Sequence, residues 1–254
     1  MNTTFDKTWF ETWFDTKYYH ILYKNRDYSE AKAFMLKLTD FLKLDKDSLI
    51  IDLACGRGRH AATLFKLGYR VIGADLSENS ILFAKEKYAD AIASGRLDFY
   101  IHDMTKTFPL QADAVFNLFT SMGYFEDFEN NQRAIQAMAQ SLKPGGAIVI
   151  DFLNVHFLKK NLVTEEVKTE EGIDFHIKRS IENNKVIKDI RFTDQNNNFH
   201  FTEYVSLLTL EDFEQFSKKA GLNIFQIFGD YQLKAFNAET SPRLIIALKK
   251  PKHQ

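Results

Sequence analysis

The residues best suited to chemistry form a loop with two glycines that follows a short apolar segment. Gly56 and Gly58 have no side chain, so the backbone of this loop can approach a ligand closely. The helix predicted after the loop directs its N-terminal amides, which are the partially positive end of the helix, toward the same place. Asp75 stands at the end of the next predicted strand, where an acid can accept both ribose hydroxyls of an adenosine. Together these features indicate a nucleoside cofactor.

Two cofactors fit this loop equally well on spacing alone. The pattern Gly56-x-Gly58-x-x-Ala61 satisfies the dinucleotide fingerprint in the form that ends in alanine. A loop of small residues that precedes a helix also suits the nucleoside of S-adenosylmethionine (SAM). The spacing of the glycines therefore leaves both a nicotinamide dinucleotide and SAM open.

Strands and helices alternate in the region that must position this loop. Apolar strand-like runs alternate with helix-like segments, which predicts an α/β fold with a doubly wound, mostly parallel, seven-stranded Rossmann-like sheet. Ser77 is a predicted N-cap. The predicted strands are Ser48–Ala54, Arg70–Ala74, Arg96–Ile101, Ala112–Phe119, Ala147–Phe152, Leu222–Phe228 and Arg243–Leu248, and the helices between them include Arg59–Leu67, Ser77–Tyr88 and Phe128–Leu142.

The pattern changes between Val163 and Leu208, where apolar and polar residues alternate between polar turns. This alternation predicts three or four antiparallel strands, which would form a small inserted sheet. Thr209 then caps a predicted helix that reaches Ala220. We therefore expect an N-terminal helical cover at residues 1–47, a cofactor-binding core at 48–158, the inserted sheet at 159–208, and a return to the core at 209–254.

Four motifs, in order, resemble those of the class I SAM-dependent methyltransferases. Asp52-Leu53-Ala54-Cys55-Gly56-Arg57-Gly58 is similar to the first motif, with Ala54 where the family more often has glycine. Val71-Ile72-Gly73-Ala74-Asp75-Leu76-Ser77 resembles the second, in which the acid holds the ribose. His102-Asp103-Met104 and Lys143-Pro144-Gly145-Gly146 resemble the third and the turn motif. The resemblance covers about residues 45–155 and implies SAM as the cofactor and S-adenosylhomocysteine (SAH) as its product.

The resemblance also implies where the cofactor lies. It places Asp103 near the adenine amino group, a backbone amide of this turn near the ring, and the backbone of Leu118 or Phe119 at the methionine ammonium. Arg59 and His60 either contact the methionine carboxylate or are simply exposed. In similar enzymes an N-terminal aromatic helix covers the cofactor. The cofactor-binding residues expected on these grounds are Tyr19, Tyr23, Arg26, Asp52, Ala54, Cys55, Gly56, Gly58, Arg59, His60, Asp75, Leu76, His102, Asp103, Met104, Leu118 and Phe119.

The methyl acceptor is expected at the segment Thr120–Phe125, the N-terminal aromatics and the inserted sheet. Methyl transfer from a sulfonium needs mainly alignment and exclusion of water, and a general base only if the acceptor arrives protonated. Candidates for that base are Tyr124, His156 and Tyr204, with His20 and His200 behind them. A lone His or Tyr in a sequence is more often structural, and that role stays open for each of them. Asp151 ends the fifth strand, but a single acid does not indicate a metal site.

Composition and charge narrow the class of substrate. The formal net charge is −1 and the basic residues are scattered, whereas nucleic-acid-binding proteins usually carry a basic stripe. An Asn-Pro-Pro-Tyr signature is absent. These features favour a small-molecule acceptor over DNA. No apolar segment has the length of a membrane span, so a cytoplasmic location is expected by default. An unpaired edge strand of the inserted sheet would allow a homodimer.

Three hypotheses follow from these patterns. The leading one is a SAM-dependent methyltransferase that acts on a small amine, hydroxyl or carboxylate by in-line transfer. The alternatives are a NAD-dependent oxidoreductase and a SAM-binding protein without transferase activity. No predicted cluster of metal ligands accompanies any of them. Neither the acceptor atom nor the oligomeric state follows from the sequence.

Overall fold

The computed structural model describes residues 9–24, 28–125 and 127–252, and contains two sheets. The larger has seven strands in the order β10-β11-β5-β4-β1-β2-β3. All of them run in the same direction except β11, which is antiparallel to both of its neighbours. This confirms the predicted α/β fold. Its strands are β1 (Leu49–Leu53), β2 (Arg70–Asp75), β3 (Leu97–Ile101), β4 (Ala112–Asn117), β5 (Leu142–Leu153), β10 (Asn223–Phe228) and β11 (Arg243–Lys249).

Helices cover both faces of this sheet, and local sequence signals define where several of them begin. The side chain of Ser77 accepts the amide of Ser80 at the start of the helix Glu78–Lys87, and Thr209 forms a capping box with Asp212 at the start of the helix Leu210–Lys219. Both caps agree with prediction. The helices are α1 (Trp9–Phe14), α2 (Lys17–Leu22), α3 (Tyr28–Phe41), α4 (Arg59–Lys66), α5 (Glu78–Lys87), α6 (Ala89–Ala93), α7 (Phe128–Gln140), α8 (Val155–Lys160) and α9 (Leu210–Lys219).

Strand β5 begins earlier than the sequence predicts. Leu142 already pairs with Ala112, and the next pair joins Ala147 to Ala114, so residues 143–146 bulge out of the ladder. The turn motif is thus an interruption within β5 rather than its start. The short helices α6 and α8 were not predicted, because five or six residues carry too little periodicity to be recognised.

The second sheet confirms the predicted antiparallel insertion. Its four strands follow one another as β6 (Glu165–Glu170), β7 (Ile173–Glu182), β8 (Lys185–Asp194) and β9 (Asn197–Ser206). Each connection has two residues, both with positive φ, which is the geometry of tight hairpin turns. The turn residues are Glu171-Gly172, Asn183-Asn184 and Gln195-Asn196.

The described helices of the predicted cover, residues 1–47, pack in two places. Helices α1 and α2 form a hydrophobic cluster with one face of the antiparallel sheet, which includes Trp13 and Phe175. Helix α3 instead packs on the large sheet, where Phe34 and Leu38 belong to the cluster around Ile50. The antiparallel sheet therefore carries α1 and α2 toward the carboxyl ends of the parallel strands. The domain bounds themselves stay a prediction.

Candidate active site

A cavity of about 550 Å³ lies at the carboxyl ends of the parallel strands, where open α/β sheets bind their ligands. Its walls come from the loops after β1, β2, β3 and β4 and from the N-terminal helices. The cavity is lined by Phe10, Phe14, Tyr19, His20, Tyr23, Lys24, Ala54, Cys55, Gly56, Arg57, Arg59, His60, Asp75, Leu76, Ser77, Ser80, Phe83, Lys87, His102, Asp103, Met104, Thr105, Leu118, Phe119, Ser121, Tyr124, Phe125 and Asn130.

The loop after β1 turns sharply because three of its residues have left-handed backbone. Ala54, Gly56 and Gly58 have φ values of 61°, 53° and 76°. A Cβ on Gly58 would lie 2.4 Å from the buried ring of Phe99, whereas a Cβ on Gly56 would meet nothing within 4 Å. Gly58 is thus required for packing beneath the loop, and Gly56 leaves the cavity side open for a ligand. Such an open cradle fits the nucleoside cofactor that the sequence indicates.

Asp75 fastens this loop to the end of β2. Its Oδ2 accepts the amide of Gly56 at 2.7 Å, and its Oδ1 accepts the amide of Ser77 at 2.9 Å. Burial raises the pKa of Asp75, while these two amides act in the opposite direction. Carboxylate oxygens have further acceptor capacity, so Asp75 can hold the loop and also accept hydroxyls from the cavity side.

Asp52 lies below the cavity and contacts the helix that follows the loop. It is fully buried, and its Oδ2 accepts the amide of Ala61 in the first turn of α4 at 2.9 Å. Burial raises the pKa of Asp52 to about 7, although the amide of Ala61 lowers it. Asp52 therefore joins β1 to α4 rather than lining the cavity. Burial also raises the pKa of the Cys55 thiol, which suits a loop residue and not a nucleophile.

The turn after β3 forms another part of the cavity wall. Asp103 Oδ1 accepts both the amide and the hydroxyl of Thr105, at 2.9 and 2.8 Å. The amide of His102 donates to the carbonyl of Asp75 at 2.8 Å, which ties this turn to β2. His102, Asp103 and Met104 all line the cavity, as the resemblance implies, and their backbone is held by the turn itself.

The segment after β4 stacks against the first turn of α4. The ring of Phe119 lies parallel to His60 at 4.8 Å between centroids, and the Arg59 guanidinium lies 4.8 Å from the Phe119 ring. Arg59 and His60 also contact each other at 2.9 Å. Both line the cavity, although His60 is buried. Leu118, which lines the same wall, completes a surface formed by β4 and α4 together.

Aromatic side chains from α1 and α2 form the remaining wall, with Tyr124 facing them. Phe14 lies 5.2 Å from Tyr124 and 4.8 Å from Tyr19, measured between ring centroids. Tyr23 donates its hydroxyl to Glu203 at 2.8 Å, so its position is fixed by β9. The same carboxylate accepts Trp13 Nε1 at 2.7 Å. The antiparallel sheet thus positions this wall without reaching the cavity itself.

Some predicted site residues lie elsewhere. Arg26 lies outside the described residues. Gly58 packs on Phe99 and is not part of the lining. His156 is exposed on α8, and Tyr204 packs beside Trp9 at 5.9 Å between ring centroids; neither lines the cavity. His200 pairs with Asp189 on the antiparallel sheet. Among the proposed general bases, Tyr124 and His20 are in the cavity.

Other residues of the site were not anticipated. Asp15, between α1 and α2, accepts the hydroxyl of Ser77 at 2.6 Å and also accepts the amide side chain of Asn79. This connects the aromatic wall to the loop that carries Asp75. Arg57 lines the cavity with its guanidinium 4.2 Å from the Phe83 ring. Only the motif that contains Ser77 and the loop that contains Arg57 could have drawn attention to these residues.

Two classes of feature are absent from the described residues. Within residues 9–24, 28–125 and 127–252, no three His, Cys, Asp or Glu side chains form a group that could hold a metal ion. No helix in this part of the chain is both long and apolar enough to cross a membrane.

Comparisons with known proteins agree on the class. Residues 51–150 match the family described as Methyltransferase domain. The putative methyltransferase YqeM of Bacillus subtilis (strain 168) is 26% identical over 219 residues, which are 82% of this chain and 87% of that protein. An N,N-dimethyltransferase of dTDP-3-amino-3,4,6-trideoxy-alpha-D-glucopyranose from Streptomyces venezuelae is 28% identical over 50% of this chain and 52% of its own length.

A solved structure extends the likeness to the whole fold. A S-adenosylmethionine-dependent methyltransferase from Clostridium acetobutylicum ATCC 824 superposes with a TM-score of 0.78 at 20% identity, covering 92% of this chain and 96% of that one. The parallel sheet and the loop-lined cavity define a nucleoside-binding α/β protein. The family match is more specific: residues 51–150 form a methyltransferase domain, and the chain has the fold of class I SAM-dependent methyltransferases. The comparisons give no support to a nicotinamide-dependent oxidoreductase.

Proposed function

We propose that this enzyme methylates a small-molecule amine, hydroxyl or carboxylate inside the cavity described above. The observation that carries the proposal is that one cavity joins the residues of the cofactor motifs to an aromatic wall. Its volume of about 550 Å³ is in the range of small-molecule sites. The dTDP-amino-sugar relative, which is named for a small-molecule acceptor, supports this class of substrate.

The cavity has two sides, which we define by their residues. The donor side consists of residues 54–57, 59–60, 75–77, 102–105 and 118–119, and these are our candidates for binding SAM. Asp75 would receive the ribose, and the turn His102–Thr105 would receive the adenine. The acceptor side consists of Phe10, Phe14, Tyr19, Tyr23, Tyr124 and Phe125.

Each side has a separate chemical task. When bound, SAM supplies an electrophilic methyl group on a sulfonium, which needs no further activation. The acceptor side then has to align a nucleophile and exclude water, for which a wall of aromatic rings is well suited. Tyr124 is our candidate for contact with the acceptor, because it lines the cavity, whereas the other two leading base candidates, His156 and Tyr204, do not. Its hydroxyl can accept or donate a hydrogen bond to an incoming amine or hydroxyl.

A panel of small amines, phenols, alcohols and carboxylates, incubated with SAM and the enzyme, tests this proposal. We expect SAH to form with at least one class, and to form more slowly with Asp75→Ala at the same sub-saturating SAM concentration. Binding of SAM without turnover on any acceptor would instead favour a SAM-binding protein without transferase activity. Cytoplasmic location, exclusion of DNA as a substrate and a homodimer stay predictions of the sequence.

A further inference from the structure

Two consecutive residues in the wall of the cavity have a backbone conformation that their side chains disfavour. Phe119 and Thr120 have φ values of 60° and 62°. One is aromatic and the other is β-branched, and such residues keep a left-handed conformation only where their surroundings impose it. The structure therefore has to contain contacts that hold this segment.

Asp151 near the end of β5 supplies the first set of contacts. It is fully buried, and its Oδ2 accepts the amide of Phe119 at 2.9 Å. Its backbone carbonyl accepts the amide of Thr120, also at 2.9 Å. The hydroxyl of Tyr231 donates to the same Oδ2 at 3.2 Å. Both strained amides are thus bound to a single residue.

Arg243 at the start of β11 completes the arrangement. Its Nε donates to Asp151 Oδ1 at 2.8 Å, and its Nη2 donates to the hydroxyl of Thr120, also at 2.8 Å. Burial by itself would lower the pKa of Arg243, but the neighbouring Asp151 outweighs it and raises the pKa. The planar guanidinium can serve both partners at once, which a lysine ammonium cannot do with the same geometry.

The contacts of the segment on its other side lead into the cavity. The Phe119 ring stacks on His60, and the Ser121 hydroxyl donates to the carbonyl of Leu118 at 2.9 Å. Leu118 and Phe119 line the cavity, whereas Asp151 and Arg243 do not. Any effect of Asp151 and Arg243 on a ligand must therefore pass through residues 118–120.

We infer that Asp151 and Arg243 are positioning residues of the donor side, which hold residues 118–120 in the shape that receives the amino-acid half of SAM. The inference rests on the proposed donor side. It assigns the adenosine half to other segments, namely the loops that carry Asp75 and Asp103. Loss of the pair should therefore weaken ligands that carry the amino-acid group and spare ligands that lack it.

Calorimetric titration with two ligands tests this selectivity. SAH carries the amino-acid group, and 5′-deoxy-5′-methylthioadenosine has the same nucleoside without it. For Arg243→Lys we expect SAH to bind at least about tenfold more weakly and methylthioadenosine to bind within about twofold of the wild type. Thr120→Val removes only the hydroxyl that Arg243 reaches. It keeps the ion pair, so we expect the same selectivity with a smaller change.

Lys143→Met is the matched control. It removes the ion pair between Lys143 Nζ and Asp113 Oδ2, which are 2.8 Å apart. This pair joins β5 to β4 at the end of the two strands that is opposite to Asp151. Both ligands should bind this variant within about twofold of the wild type. Circular dichroism shows whether each variant is folded, and Thr120→Val decides the matter if Arg243→Lys does not fold.

Two results would overturn the inference. Equal weakening of both ligands would show that the pair stabilises the fold in general, and unchanged affinity for SAH would show that the segment does not depend on it. A wild-type protein that binds neither ligand would instead refute the proposed donor side, and the inference with it.

Discussion

The donor side and the acceptor side of the cavity are built in different ways. The donor side uses backbone: the loop after β1 is fastened by Asp75, and the turn after β3 is fastened by Asp103. The acceptor side uses side chains, whose rings contact one another across α1, α2 and the segment after β4. A backbone cradle tolerates little change, whereas a wall of side chains can be altered residue by residue. We therefore expect substitutions on the two sides to affect different quantities.

The largest effect at a fixed pH is expected from the two glycines of the loop after β1. Gly58→Ala would place a Cβ against the buried Phe99 ring at positive φ, and we expect it to lower the free energy of unfolding by about 3 kcal/mol. Gly56→Ala adds strain only, at a cost of about 1 kcal/mol. Urea denaturation of the two apoproteins measures the difference. Equal losses of stability would contradict the packing role assigned to Gly58.

The pH dependence of stability gives the next effect, through Asp52. Its pKa is raised in the folded state from 3.8 to about 7, so the stability that it contributes is present below pH 3.8 and is lost as the pH rises through 7. Asp52→Asn still offers an oxygen to the amide of Ala61. The wild type should therefore lose stability relative to Asp52→Asn by up to about 1.4 kcal/mol per pH unit between pH 4 and pH 7.

Denaturation of both apoproteins at several pH values measures this slope. Because Asp75 is present in both proteins, its own titration cancels to a first approximation. A difference in stability that stays constant from pH 4 to pH 8 would show that Asp52 titrates as an ordinary carboxyl group.

A smaller effect is expected for the affinity of the cofactor. Asp75→Ala removes the carboxylate that fastens Gly56 and that would receive the ribose, so SAH should bind about 10- to 100-fold more weakly. Asp90→Ala, which removes an acid of α6 outside the cavity, is the control and should leave the affinity unchanged. Isothermal titration measures both. Wild-type affinity in Asp75→Ala would exclude the ribose assignment.

The smallest change in cofactor binding is expected on the acceptor side. Tyr124→Ala opens the aromatic wall and should lower turnover of an acceptor about tenfold, with the dissociation constant of SAH within about twofold. His156→Ala should alter neither quantity, because His156 does not line the cavity. Initial rates and SAH titrations on the same preparations separate the two effects. The division into two sides would fail if Tyr124→Ala weakened SAH as strongly as Asp75→Ala.

The same contrast explains which features the sequence predicts. Most of the donor side lies within short segments, where two glycines, a strand-ending acid and a helix cap can be recognised locally. The seven strands of the larger sheet and the antiparallel insertion follow from hydrophobic periodicity in the same way. Their approximate bounds were predicted, and the early start of β5 was missed because its bulge has no periodic signature.

Other parts of the site depend on pairs that are distant in the chain. Glu203 binds Trp13 and Tyr23, Asp15 binds Ser77, and Arg243 binds both Asp151 and Thr120. In each case the two partners have no regular spacing, and only the folded chain brings them together. For the same reason, the sequence alone does not distinguish Tyr124 from His156 and Tyr204.

A crystal structure with SAH bound tests the central claim most directly. We predict the ribose hydroxyls within hydrogen-bonding distance of the Asp75 carboxylate, the adenine beside the turn His102–Thr105, and the sulfur facing the side that contains Tyr124. A nucleoside bound away from Asp75, or a sulfur that faces away from the aromatic wall, would contradict the account.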